Sequence, residues 1–223
     1  MLICGIDENG RGAVIGPLVI TGVVVDKNDI DKLKEIGVRD SKQLTREKRE
    51  KLYKKIENIA KEIIVLRVFP DKIDEFRKSG VNLNEIEAMK TAEIINYSSA
   101  DAYYIDSLTT RPEKYKEKIK KYITRKPVPM LIVKNYLDES NPAVSAASII
   151  GKVERDKEIV KIAKKENLET GVGYPHDEKT REFLRRVYKK YHGYPSYVRK
   201  TWITAKEIKK ELKIKSLKDY FHK

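Results

Sequence analysis

Three short apolar runs, each leading to an aspartate, constrain this chain more than any other feature. Leu2–Ile6 runs into Asp7, Ala102–Ile105 into Asp106, and Met130–Val133 is followed closely by Asp138. Apolar runs this short, bounded by polar residues, read as buried strands. A very basic helix is predicted over Pro112–Ile123, between the second run and the third. A long one is predicted over Pro142–Lys164, opening on Ala-Val-Ser-Ala-Ala-Ser. Such alternation predicts parallel strands with helices laid against them. In open α/β sheets the site lies beyond the carboxyl ends of the strands. Three carboxylates far apart in sequence are therefore expected to converge there.

Two further runs, Leu18–Val25 and Glu62–Phe69, join Leu2–Ile6 as an antiparallel meander, with Gly-Ala-Val-Ile-Gly-Pro turning the chain between the first two. A helix is predicted over Thr45–Ala60, with Thr45 as its N-cap and Leu52, Ile56 and Ile59 on its apolar face; another covers Leu83–Asn96. The later chain has a different texture. The loop Gly171-Val-Gly-Tyr174-Pro opens a helix over Glu178–Tyr191, and a short helix follows over Ala205–Leu212. This part lacks strands and is rich in Tyr and Arg, as expected of a helical subdomain that closes over a substrate.

The first run carries the most chemistry. Asp7 and Glu8 are adjacent and are followed at once by Gly10-Arg11-Gly12. Successive side chains on a strand point to opposite faces, so both acids are expected to serve one site where the strand ends and the chain turns. Glycines allow close backbone approach to a ligand, and an arginine between them is a natural phosphate partner. Taken singly, an Asp at a strand end is as a rule a turn or cap residue. The pair before a glycine turn is more specific, because adjacent buried carboxylates are costly without a cation. Asp7, Glu8, Asp106 and Asp138 are oxygen donors suited to Mg²⁺, and such a set supports two-metal phosphodiester hydrolysis.

The charge fits a polyanionic partner. The net charge is +14 over 223 residues, and Glu178–Lys223 holds 15 Lys/Arg against 5 Asp/Glu. Lys42, Lys152, Arg199 and Lys200 are the candidates for phosphate contact, against the plainer reading of a solvated basic surface. Cys4 is the single cysteine, and His176, His192 and His222 are scattered, so neither a disulfide framework nor a zinc cluster is expected. No run reaches membrane-spanning length and no signal-peptide pattern opens the chain; a cytoplasmic monomer is expected.

Taken together, these residues closely resemble the motifs of the ribonuclease HII family, in its archaeal branch. The resemblance begins at Gly5-Ile-Asp7-Glu8-Asn-Gly10-Arg11-Gly12-Ala-Val-Ile-Gly16-Pro17 and continues through Asp40-Ser41-Lys42-Gln-Leu-Thr45 and Tyr104-Ile-Asp106-Ser. It then takes in Asp138-Glu-Ser-Asn-Pro142-Ala-Val-Ser145-Ala-Ala-Ser148-Ile-Ile-Gly-Lys152-Val-Glu-Arg155-Asp156 and Gly171-Val-Gly173-Tyr174-Pro175. It implies an α/β fold: an RNase H-like core with a mixed five-stranded sheet flanked by helices, plus a C-terminal helical subdomain. The corresponding division is a catalytic core over 1–165, a substrate-binding region over 166–212 and a tail over 213–223. It implies an endonuclease that hydrolyses RNA in RNA–DNA hybrids and cuts 5′ to ribonucleotides embedded in duplex DNA, leaving 3′-hydroxyl and 5′-phosphate ends.

Asp7, Glu8, Asp106 and Asp138 match the family's metal-binding carboxylates, with Mg²⁺ or Mn²⁺ as cofactor. Gly10, Arg11 and Gly12 match its turn that reads the 2′-hydroxyl, and Tyr174 the tyrosine that packs at the RNA–DNA junction. Lys42, Ser145, Ser148, Lys152, Arg199 and Lys200 are further expected substrate contacts. The chain departs from the family pattern at Asn9 and Ala13 and through Tyr136-Leu137-Asp138-Glu139-Ser140-Asn141, where Glu139 stands beside Asp138 as a competing ligand. A junction resolvase of the same core, or a nucleic-acid-binding module without activity, are the competing readings; neither accounts for the glycine turn paired with a distant tyrosine.

The tail, Ile214-Lys-Ser-Leu217-Lys-Asp-Tyr220-Phe221, resembles the motif by which replication and repair proteins dock on the sliding clamp, with Ile214 where the motif usually has Gln. Leu217, Tyr220 and Phe221 fall on one side of a helical turn and suit an apolar pocket. The alternative, that they pack back on the enzyme, stays open.

Overall fold

The computed structural model describes the backbone of residues 1–38 and 44–221, and side chains as far as residue 214. A mixed five-stranded sheet is built from β1 (Leu2–Asn9), β2 (Leu18–Asp26), β3 (Glu62–Val68), β4 (Ala102–Asp106) and β5 (Met130–Lys134), in the order β3-β2-β1-β4-β5. β1 runs antiparallel to β2 and parallel to β4, and β4 parallel to β5. The helices are α1 (Ile30–Glu35), α2 (Arg46–Ile59), α3 (Pro70–Lys78), α4 (Leu83–Tyr97), α5 (Pro112–Lys120), α6 (Leu137–Ser140), α7 (Pro142–Glu166), α8 (Glu178–Tyr191) and α9 (Ile203–Phe221). The expected α/β class, the mixed sheet and the C-terminal helices are all present. Among the described residues no helix is long and apolar enough to cross a membrane.

Local chemistry sets the helix starts. Thr45 Oγ1 accepts from Lys48 N at 3.3 Å ahead of α2. Asn141 Oδ1 accepts from Ala143 N (3.0 Å) and Val144 N (3.3 Å), with Pro142 in the first position of α7.

The chain divides into two compact units that interleave along the sequence. The first comprises Met1–Asn9, Val19–Arg67 and Asn82–Glu154, and the second Gly10–Leu18, Val68–Val81 and Arg155–Lys223. Residues 10–18 and 68–81 thus group with the C-terminal helices. In the first unit, Val23 and Val25 of β2, Leu52 and Ile56 of α2, and Ala143, Ala146, Ala147 and Ile150 of α7 share one core. The small residues of α7 let its backbone lie close against β1. A Cβ on Gly5 would stand 2.1 Å from the carbonyl carbon of Ala143, so a side chain there would push the helix off the strand. In the second unit, Val14 and Ile15 join Ile159, Phe183, Leu184, Val187, Val198 and Ile208.

Four differences from the sequence reading have physical causes. β1 extends through Asn9 because Asp7, Glu8 and Asn9 pair with Thr21, Ile20 and Val19 of β2. α3 starts at Pro70, which favours the first turn of a helix, and its buried Ile73 is a single anchor too sparse to show as periodicity. α6 is one turn long. α9 begins earlier and runs nine residues past Leu212, since no Gly or Pro interrupts Ile203–Phe221 and Lys, Glu and Leu favour helix throughout.

Candidate active site

The last paired residues of the parallel neighbours β1 and β4 are Ile6 and Ile105. Asp7 and Asp106, next along each strand, therefore stand abreast at the carboxyl end of the sheet. Asp138 arrives from α6, and Leu137 N donates to Asp106 Oδ1 at 2.7 Å, tying that turn to the strand end. All three aspartates are buried. Burial above all, with the charges of Asp106 and Asp138 adding to it, pushes Asp7 up to about 7, while the Ser148 hydroxyl and the backbone N–H of Glu8 favour its ionised form. Asn9 Nδ2 donates to Asp7 Oδ2 at 3.3 Å and to Ser148 O at 3.4 Å. Glu8, half-buried, stays within the strand and starts toward the opposite face of the pleat. The expected turn after the acids comes two residues later.

Among the described residues no three His, Cys, Asp or Glu side chains already enclose a single ion position. The donor set nevertheless fits Mg²⁺ or Mn²⁺. Mg²⁺ takes one or two carboxylates and completes its octahedron from water and substrate phosphates. Three buried like charges that act on one another are also relieved by a divalent cation.

The second cluster lies within the other unit. Gly10 (φ +84°) turns the chain, with Ala13 N donating to Gly10 O at 3.2 Å. The turn's carbonyls are gathered by one arginine. Arg199 is fully buried; its Nη2 donates to Gly10 O (2.7 Å), its Nη1 to Arg11 O (2.8 Å), and its Nε and Nη2 to Gly16 O (3.2 and 3.1 Å). Its guanidinium lies 4.8 Å from the Trp202 ring centroid. Gly173 O accepts from Val14 N and Ile15 N at 2.9 and 3.2 Å, which brings Tyr174 in: its ring is 4.0 Å from where a Cβ on Gly12 would stand. Arg155, also buried, stacks 4.6 Å from the Tyr174 centroid and donates to Val172 O at 3.0 Å. A Cβ on Gly10 would fall 2.6 Å from Arg155 Nε, so this glycine is required both by its φ and by close approach.

Residues 4–205 match the family model of Ribonuclease HII. The chain belongs to the ribonuclease HII family. It is accordingly an endonuclease that cleaves RNA in RNA–DNA hybrids. The Pyrococcus horikoshii ribonuclease HII is 42% identical over 215 residues, covering 96% of this chain and 95% of that protein. The Methanosphaera stadtmanae ribonuclease HII is 43% identical over 93% of this chain and 95% of that protein. The crystal structure of the P. horikoshii ribonuclease H2 superposes with a TM-score of 0.87 at 41% identity, covering 96% of this chain and 99% of that one. An Archaeoglobus fulgidus ribonuclease HII, solved in complex with PCNA, gives a TM-score of 0.81 at 38% identity over 91% of this chain and 95% of that one.

The remaining expected contacts sort by burial. Ser145 and Ser148, expected to meet substrate, are buried and bond within the carboxylate cluster. Ser145 Oγ donates to Asp138 O at 2.5 Å and to Asn141 O at 3.1 Å, while Ser148 bonds Asp7. Arg199, expected to meet a phosphate, is buried, and its guanidinium bonds the carbonyls of the glycine turn. Lys200 is exposed, its backbone N held by Asp74 Oδ2 at 2.7 Å. Lys152 is half-buried on α7. Of Asp138 and Glu139, the first is buried and bears on Asp7, and the second is exposed. Lys42 and the side chains of Leu217, Tyr220 and Phe221 lie outside the described residues.

Sequence reasoning missed Asn9, Arg155 and Asp74. Asn9 had a signal, standing among the acids with an amide able to donate to them. Arg155 stood within the motif running from Asp138 to Asp156 but was given no role there, and Asp74 had no signal, because it acts on partners distant in sequence.

Proposed function

We propose that this endonuclease cuts duplex DNA on the 5′ side of a single embedded ribonucleotide as well as RNA in long hybrids, leaving 3′-hydroxyl and 5′-phosphate ends. The observation that carries the reading is the Gly10–Gly12 turn with the Tyr174 ring set against Gly12. A 2′-hydroxyl is what separates ribose from deoxyribose. A turn without side chains at two of three positions offers its backbone groups to that hydroxyl. Arg199 holds the turn's carbonyls inward, and an aromatic ring beside Gly12 can press on the neighbouring sugar. Arg155 fixes that ring by stacking on it.

Asp7, Glu8, Asp106 and Asp138 are the residues that would hold Mg²⁺ or Mn²⁺, and the cations supply, when bound, activation of a water and stabilisation of the leaving 3′ oxygen. Asn9 and Ser148 orient Asp7. Leu137 N orients Asp106, and Ser145 fixes the backbone of Asp138. The clamp is a proposed partner, through Leu217, Tyr220 and Phe221; that a similar ribonuclease HII was solved with PCNA supports it.

The test compares three labelled duplexes in the presence of Mg²⁺: an RNA–DNA hybrid, a DNA duplex with one ribonucleotide, and the same duplex in all-deoxy form. The first two are expected to be cut, the second at one bond on the 5′ side of the ribonucleotide, and the third left whole. Cleavage of the hybrid alone would overturn the finer reading.

A further inference from the structure

Beside the three aspartates, the loops that follow β4 and β5 expose two large apolar side chains. Leu108, two residues past Asp106, is 60% exposed, and Tyr136, two residues before Asp138, is 67% exposed. The two loops are joined. Asn135 Nδ2 donates to Thr109 O at 3.0 Å, and Leu137 N donates to Asp106 Oδ1 at 2.7 Å. Tyr136 is thus held between two neighbours that are both anchored to the β4 side. It takes a left-handed backbone, φ +62° and ψ +30°. That conformation costs a residue with a Cβ about 1 kcal/mol, and Gly or Asn fills it with less strain. Neither burial nor backbone preference explains a tyrosine at this position. Strained residues cluster where a ligand is met.

Electrostatics identify the ligand. On the Leu108 side the loop opens into a cavity of about 220 Å³ whose lining includes Thr109, Thr110, Arg111 and Lys114. Arg111 and Lys114 are both exposed. An exposed aromatic on one of two joined loops, with cations following on the other and carboxylates suited to phosphodiester chemistry at their base, matches a nucleic-acid strand. The ring takes a base or sugar face and the cations take phosphates. An acidic protein partner would use the cations but has no need of a flat ring at the edge of a metal site.

We propose that Tyr136, flanked by Leu108, is a substrate platform on which one nucleotide of the bound duplex rests, with the backbone phosphates passing over Arg111 and Lys114. The proposal rests on the endonuclease reading and extends it to a contact surface on the β4 and β5 loops.

The test is a fluorescence-anisotropy titration of a labelled DNA duplex containing one ribonucleotide, in EDTA so that nothing is cut, paired with cleavage kinetics in Mg²⁺. Tyr136→Ala is expected to weaken binding about tenfold and to raise KM by a similar factor, with kcat within about twofold. Tyr136→Phe should bind as wild type. Tyr136→Asn relieves the backbone strain and should still bind weakly, which separates the ring from the strain. The salt slope of binding should be unchanged in Tyr136→Ala and smaller by about one in Arg111→Ala. Melting temperatures of Tyr136→Ala, Tyr136→Phe and Arg111→Ala should stay near wild type, since the side chains are exposed, and that of Tyr136→Asn should rise slightly. Tyr136→Ala binding as tightly as wild type, or Tyr136→Phe losing as much as Tyr136→Ala, would overturn the platform. Failure of the endonuclease reading would instead show in the cleavage arm of the wild-type protein.

Discussion

Asp7 occupies the least comfortable place in the chain. It is buried, abreast of Asp106 and within the field of Asp138, and this drives it from the ordinary 3.8 up to about 7. An acid whose folded value is raised binds a proton more readily in the folded state. The metal-free protein should therefore lose stability as pH rises from about 4 to about 7 through this group. Asp7→Asn removes that loss. Its melting temperature without metal is expected to exceed wild type at pH 8 and to match it at pH 4, and thermal melts in EDTA at both values check this. Equal melting temperatures at pH 8 would mean that neither burial nor the neighbouring charges raise Asp7.

Arg199 shows the opposite economy, a buried charge fully used. Arg199→Ala strands the carbonyls of Gly10, Arg11 and Gly16, and should cost about 2–4 kcal/mol in denaturant unfolding. Arg199→Lys keeps the charge but not the planar fork. It should retain most of the stability while losing preference for a ribonucleotide over a deoxynucleotide. At this scale the convergence of Asp7 and Asp106 was legible in the sequence, because both are marked by position at strand ends. It did not show that Arg199, Ser145 and Ser148 are buried and bonded within the protein. Residue type says that a side chain can bond a phosphate, whereas burial, which depends on the whole fold, decides whether it meets one.

Among the elements, α7 serves both clusters. Its small-residue start lets it lie on β1 at Gly5 and brings Ser145 and Ser148 to the carboxylates, while Arg155, further along, stacks on Tyr174. Its far end is pinned by Glu166. Burial opposes the charge of that residue, but the bonds from Lys190 and Tyr191 and the charge of Lys190 outweigh it and hold the carboxyl below its usual range. A depressed acid contributes stability above its ordinary value near 4.5, and that contribution is lost as pH falls through the lower folded value. Glu166→Gln should thus cost about 1–3 kcal/mol at pH 7, and the difference should fade toward pH 3 in unfolding titrations. The long helices were legible because they carry caps and periodicity. α3 and α6 were not, since each is short and anchored by one or two side chains. α9 was underestimated because the apolar pattern fades after Leu212 while helix propensity does not. Deleting residues 214–223 should leave cleavage of a short duplex unchanged and abolish clamp binding in a titration. A large fall in melting temperature would make the segment structural instead.

Across the whole molecule, acids sit at the sheet's carboxyl end, and the C-terminal stretch carries 15 Lys/Arg against 5 Asp/Glu. Binding to a hybrid duplex should weaken steeply with salt, and an anisotropy titration between about 50 and 200 mM salt would expose a flat response. The sheet's parallel half was readable from the run-then-acid pattern. The interleaving of two units was not, because it depends on where residues 10–18 and 68–81 find their contacts. The account stands or falls on the carboxylates as metal ligands, and the most direct measurement is single-turnover cleavage of a one-ribonucleotide duplex by Asp7→Asn and Asp138→Asn at saturating Mg²⁺. Both variants are expected to bind the duplex and to melt no lower than wild type, while cutting at least a hundredfold more slowly, roughly the loss of one electrostatic stabiliser of the reacting phosphate. Near-normal cleavage by Asp7→Asn would contradict the account.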